Sequence, residues 1–156
     1  MQGSNLARDV SLVLSGIFIV QSVVSMAVPS LCWIPECPFM RTLIHGNVFH
    51  ALGNSVLLLA FTFGFGMDMR RMITSAMLGA FVLLLFDRAI GFSASLFAYV
   101  GMMVGYGQMN WKYTFRFLAI TNIPLLLFSP MSSVIHLSAS AIGFLSITIY
   151  KCFRTK

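Results

Sequence analysis

Residues 90–107 read Ile90-Gly91-Phe92-Ser93-Ala94-Ser95-Leu96-Phe97-Ala98-Tyr99-Val100-Gly101-Met102-Met103-Val104-Gly105-Tyr106-Gly107, with no charged side chain anywhere in the run. A helix needs roughly 20 apolar residues to cross the hydrocarbon core of a bilayer, so this stretch is long enough to enter one. It nevertheless carries Ser93 near its beginning. His136 sits in the same way near the start of the apolar stretch 131–150, and a third stretch, 45–66, adds His45, His50 and Asn54. Polar groups inside hydrocarbon are expensive and usually functional. A buried serine beside a histidine reads as a nucleophile with its base, and a neighbouring asparagine as a donor to an oxyanion.

The rest of the chain agrees with a membrane setting. Of 156 residues, 58% are hydrophobic and 9% charged, with a mean hydropathy of +0.90. A soluble domain carries about a quarter charged residues, more than twice this share. The chain is too poor in charge to cover a water-facing surface and too short for a separate soluble domain, so it reads as one membrane domain over 1–156. The apolar run from Val10 to Val28 exceeds a signal-peptide core and is expected to be retained as a first span.

Six spans are expected, at about 10–28, 45–66, 72–86, 90–107, 114–129 and 131–150, in an all-α, polytopic bundle. Asp68-Met69-Arg70-Arg71, Asp87-Arg88, the segment 108–112 and Ser129-Pro130 separate the later ones. The formal charge of +6 does not point to nucleic acid, because the basic residues lie singly at helix ends. Loop bias and anionic lipid head groups explain that pattern better. With the N-terminus inside, Arg8, Arg70, Arg71, Lys112, Arg116, Lys151, Arg154 and Lys156 fall on the cytoplasmic side, and only Arg41 and Arg88 face outward. Both termini are then cytoplasmic, and a bacterial inner membrane is the expected location.

In that orientation spans two, four and six all run inward, and His50, Asn54, Ser93 and His136 lie near their outer ends. At ~1.5 Å per residue, Ser93 and His136 both fall roughly 7–9 Å below the outer edge. His50 and Asn54, four apart, share one helix face. Small residues recur along the fourth span (Ser93, Gly101, Gly105) and the sixth (Ala139, Ser140, Gly143), a pattern that lets membrane helices approach closely. Such an approach would bring Ser93 and His136 within hydrogen-bond reach.

These residues resemble the rhomboid family of intramembrane proteases. The carrying motifs are His45-Gly46-Asn47-Val48-Phe49-His50-Ala51-Leu52-Gly53-Asn54 on the second stretch, Gly91-Phe92-Ser93-Ala94 on the fourth, and His136-Leu137-Ser138-Ala139 on the sixth. The similarity covers essentially the whole chain. It departs at Ala94 and Ala139, where the family has glycines, and in the first external loop, where Phe39-Met40-Arg41 is the nearest match to an aromatic-arginine pair. The resemblance implies a six-helix rhomboid-like fold and a serine endopeptidase with a Ser93–His136 dyad that cleaves transmembrane segments near the outer leaflet. It also implies an oxyanion site at His50 and Asn54, support from Gly91, Phe97 and His45, no cofactor, and membrane-protein substrates and lipid as partners.

The only acids, Asp9, Glu36, Asp68 and Asp87, belong to tails or loops in this topology. His136 is therefore expected to be held by packing, chiefly on Phe97, and by backbone or water contacts. Each residue alone has a plainer reading. Ser93 would more often bond a carbonyl one turn back, as Ser75, Ser138, Ser140 and Ser146 are expected to do. Asn54 would serve as polar glue between helices, and His45 as a structural loop histidine. The three motifs together, at one depth, reverse that preference. Two other classes stay open. One is an inactive rhomboid-like protein that binds transmembrane helices; the other is a small transporter or a histidine-based metal or haem site. A Cys32–Cys37 disulfide and free thiols are both compatible with the sequence.

Overall fold

The computed structural model describes residues 2–27, 38–45, 47–86 and 89–154. Among the described residues the chain is helical, without strands. The order is α1 (Gln2–Ala27), α2 (Pro38–Leu43), α3 (Val48–Leu59, continued by a π-helical turn Ala60–Gly64), α4 (Met69–Leu84), α5 (Ser93–Tyr106), α6 (Trp111–Phe128) and α7 (Pro130–Arg154). Cys32, Cys37, Glu36 and the Asp87-Arg88 connection lie outside the described residues.

Local chemistry sets the helix limits. Asn47, Asp68 and Asn110 each cap a helix by accepting a backbone N–H in its first turn, from His50, Arg71 and Lys112 at 2.8–2.9 Å. The second predicted span therefore starts at Val48 and leaves His45 in the preceding connection. The fourth starts at Ser93 because Gly91, at φ +105°, holds a conformation that breaks the approach to the helix. Gly107, at φ +76°, ends α5 as a left-handed cap.

Among the described residues, two helices are long and apolar enough to cross a membrane: α1 over Asn5–Val24, and α7. Val48–Gly64 and α5 are apolar but shorter. At ~1.5 Å per residue, the 14 residues of α5 rise about 21 Å. The shortening follows from Gly91 and Gly107, which bring the chain out of the helix at both ends.

The bundle is organised around α5, every residue of which from Ser93 to Met103 is buried. One side packs with α1 and α3 through Phe18, Ala51, Leu58, Phe92, Leu96 and Tyr99. The other packs with α4 and α7 through Val82, Leu83, Ala94, Phe97, Ile135 and Ala139. The α5–α7 seam is the tightest. A Cβ at Gly101 would overlap the Ser140 carbonyl, and one at Gly143 the Ala98 carbonyl. Ser140 reaches across this seam to the Phe97 carbonyl at 3.1 Å, whereas Ser75 and Ser146 do bond carbonyls one turn back. Ala94 and Ala139, both fully buried, fit here because the seam accepts a methyl at those positions. Outward faces are strongly apolar: Val13, Val20, Phe81, Ile120, Leu127 and Phe153 are all exposed.

Candidate functional site

The beginnings of α3, α5 and α7 converge on one end of the bundle, and a cavity of about 460 Å³ opens between them. His50, Asn54, Ser93 and His136 all line it, joined by Phe97 and by Thr121 and Leu125 of α6. Ser93 and His136 are each 7% exposed, so both belong to the interior yet face this opening. Four groups that the sequence places on three separate stretches thus line one cavity.

Ser93 is the first residue of α5. The backbone N–H of Leu96 is the first to find an acceptor within the turn, at Phe92 O, 3.1 Å. The amides of Ser93, Ala94 and Ser95 precede it and have no intrahelical partner, and the positive end of the helix dipole lies here. Developing negative charge beside Ser93 would be favoured.

Phe97, one turn further, lies flat on the His136 imidazole, with centroids 4.0 Å apart and planes 8° from parallel. His136 has a further partner that sequence reasoning missed. Its Nδ1 lies 3.2 Å from Oδ1 of Asn122, on α6. The expectation that His136 is held only by packing and by backbone or water contacts is corrected by this side-chain bond. Asn122 is 3% exposed, and its own Nδ2 donates to Leu118 O at 2.9 Å and to Thr121 Oγ1 at 3.1 Å. Ser133 Oγ of α7 donates to the Asn122 carbonyl at 3.0 Å, which fixes the two helices at this level. The available signal was the polar pair Thr121-Asn122 within the fifth apolar stretch.

On the opposite wall His45, fully buried, organises the α3 residues. Its Nδ1 donates to Leu43 O at 3.2 Å, and its Nε2 accepts from Asn54 Nδ2 at 2.8 Å. Its backbone N–H donates to Gln21 Oε1 of α1 at 2.9 Å. The Phe18 ring packs on one side of it and the His50 ring meets it edge-on, at centroid distances of 4.4 and 5.1 Å. One N–H of the Asn54 amide is thus used in holding the group, leaving the second for another acceptor.

Gly91 carries this wall to Ser93. A Cβ there would lie 2.7 Å from His50 Cε1 and 3.0 Å from its Nε2, closer than such atoms pack. Only a glycine permits both the positive φ and this approach. The Gly91 N–H donates to Arg41 O at 2.9 Å, and the buried Arg41 guanidinium donates to Phe86 O at 3.4 Å. The segment ahead of α3 and the turn ahead of α5 are tied together there.

Among the described residues no three His, Cys, Asp or Glu side chains gather as a metal site. Asp9 is on the surface of α1 and Asp68 caps α4, so neither stands behind His136. Compared with known proteins, the chain matches no family model, no curated protein and no solved structure.

Proposed function

We propose that the protein is an intramembrane serine endopeptidase of rhomboid type, with Ser93 as nucleophile and His136 as general base. The observation that carries this reading is the single cavity lined by Ser93, His136, His50 and Asn54 from three different helices. The many large apolar side chains on the outer faces support a lipid surround. The eight-to-two distribution of Lys and Arg supports an orientation with the cavity toward the outer leaflet. In this reading α1, α3 to α7 are the six spans, the shorter ones sitting where the bundle thins the bilayer.

The chemistry follows from the positions. His136 takes the Ser93 Oγ proton as the oxygen attacks the carbonyl of a substrate peptide bond. The resulting oxyanion receives hydrogen bonds from the free Asn54 N–H, the His50 ring and the Ser93 backbone N–H. The C–N bond then breaks as His136 passes the proton to the leaving amine. Water, activated by the same histidine, hydrolyses the acyl-enzyme and regenerates the Ser93 hydroxyl.

The test is cleavage of a single-span model substrate by purified protein, beside Ser93→Ala. Cleavage that disappears in Ser93→Ala supports the reading, and unchanged cleavage in that variant refutes it. Substrate retention without turnover by the unaltered protein would favour the helix-binding, inactive alternative.

A further inference from the structure

We propose that Asn122 is the positioning residue that sets the tautomer of His136, an inference that rests on the role of His136 proposed above. Nδ2 of Asn122 is committed to the carbonyl of Leu118, one turn back on α6, and to Thr121 Oγ1. Thr121 in turn donates its own hydroxyl hydrogen to Phe117 O at 2.8 Å, so its oxygen is available to accept. Both contacts require the NH₂ end of the amide, and Oδ1 is left pointing at His136.

An amide oxygen only accepts. The imidazole nitrogen 3.2 Å away, Nδ1, must therefore carry the hydrogen. In a neutral ring that leaves Nε2 as the basic nitrogen. Stacking on Phe97 restrains the plane of the ring, and the Asn122 bond restrains its rotation within that plane. The two contacts come from different helices and are independent. Together they define which nitrogen is free to take a proton from Ser93, the residue one turn before Phe97.

The choice of a neutral acceptor is consistent with the setting. Asn122 is buried in an apolar helix, where a carboxylate would bring a charge into surroundings that oppose it. An amide supplies the directional contact without that cost. Ser133, hydrogen-bonded to the Asn122 backbone, keeps α6 at the height where the contact forms. The contact joins His136 of α7 to Asn122 of α6, and Ser93 of α5 lines the same cavity as the ring.

The experiment is ¹⁵N NMR of the full chain, labelled at histidine and held in detergent micelles, with His136 signals identified by their loss in His136→Ala. The expected spectrum has a pyrrole-type Nδ1 and a pyridine-type Nε2 at His136. Asn122→Ala is expected to mix the tautomers and to lower kcat roughly ten- to a hundred-fold with little change in KM, the range seen when the orienting partners of metal-bound histidines are removed. Asn122→Asp, which keeps an acceptor oxygen, is expected to retain the Nδ1 hydrogen and more activity than Asn122→Ala. A pyrrole-type Nε2 in the unaltered protein, or an unmixed Nδ1–H tautomer in Asn122→Ala, would overturn the inference. Ser93-independent cleavage beside an intact Nδ1–H signature and its loss in Asn122→Ala would instead overturn the proposed function alone, leaving the tautomer assignment standing.

Discussion

The Phe97 ring and the His136 imidazole are stacked at 4.0 Å, and this pair ties the helix that begins with Ser93 to the helix that carries the proposed base. Aromatic pairs of this geometry contribute about 0.5–1.5 kcal/mol beyond the area they bury. Phe97→Leu keeps apolar volume and removes the stack. It is expected to lower kcat about tenfold while the thermal midpoint falls only modestly. Parallel kinetics and thermal unfolding check the separation. Equal kcat in the variant would remove Phe97 from the positioning of His136.

Gly91→Ala is expected to impair the site more than the fold. The new methyl would meet His50, and the backbone would hold a positive φ that costs a residue with a Cβ roughly 1–2 kcal/mol. Displacing His50 and Asn54 from Ser93 is expected to reduce kcat on the order of a hundredfold, the scale on which single oxyanion donors act. Gly16, where a Cβ would meet nothing and which lies outside the cavity lining, is the control: Gly16→Ala should leave activity near the original.

His45 and Asn54 should separate by readout. Asn54→Ala removes a proposed oxyanion donor and is expected to cost about 10²–10³-fold in kcat. His45→Ala leaves a buried Asn54 N–H without its acceptor, worth about 1–3 kcal/mol of stability. The larger fall in thermal midpoint is therefore expected for His45→Ala, and the larger fall in kcat for Asn54→Ala.

The α5–α7 seam should resist even one methyl group. Gly101→Ala places a Cβ on the Ser140 carbonyl, and rigid backbone cannot move aside as a side chain would. A destabilisation of about 1–3 kcal/mol or more is expected from overpacking. Thermal unfolding in detergent measures it, with Gly16→Ala, where a Cβ meets nothing, as the reference.

The helical class and the clustering of Ser93, His136, His50 and Asn54 were legible in the sequence, because polar side chains in long apolar runs are few and each needs a reason. The small-residue stripes likewise announced the α5–α7 contact. Asn122 carried the same kind of signal but escaped notice. Its link to His136 joins two different helices, and no spacing along the chain encodes it. Helix limits were hidden for another reason: the Asn47 cap, the π-helical turn after Leu59 and the positive φ of Gly91 are local backbone events that hydropathy does not register. The tie between Arg41 O and the Gly91 N–H is purely backbone and leaves no mark in residue types at all.

The most direct measurement is covalent labelling by a fluorophosphonate, in which an activated serine oxygen displaces fluoride from phosphorus. Intact-mass and peptide analysis of the full chain in detergent locates the adduct. The predicted result is a single adduct on Ser93 that is absent from His136→Ala. An adduct on another serine, or labelling of Ser93 that is unaffected by removing His136, would contradict the pairing of these two residues.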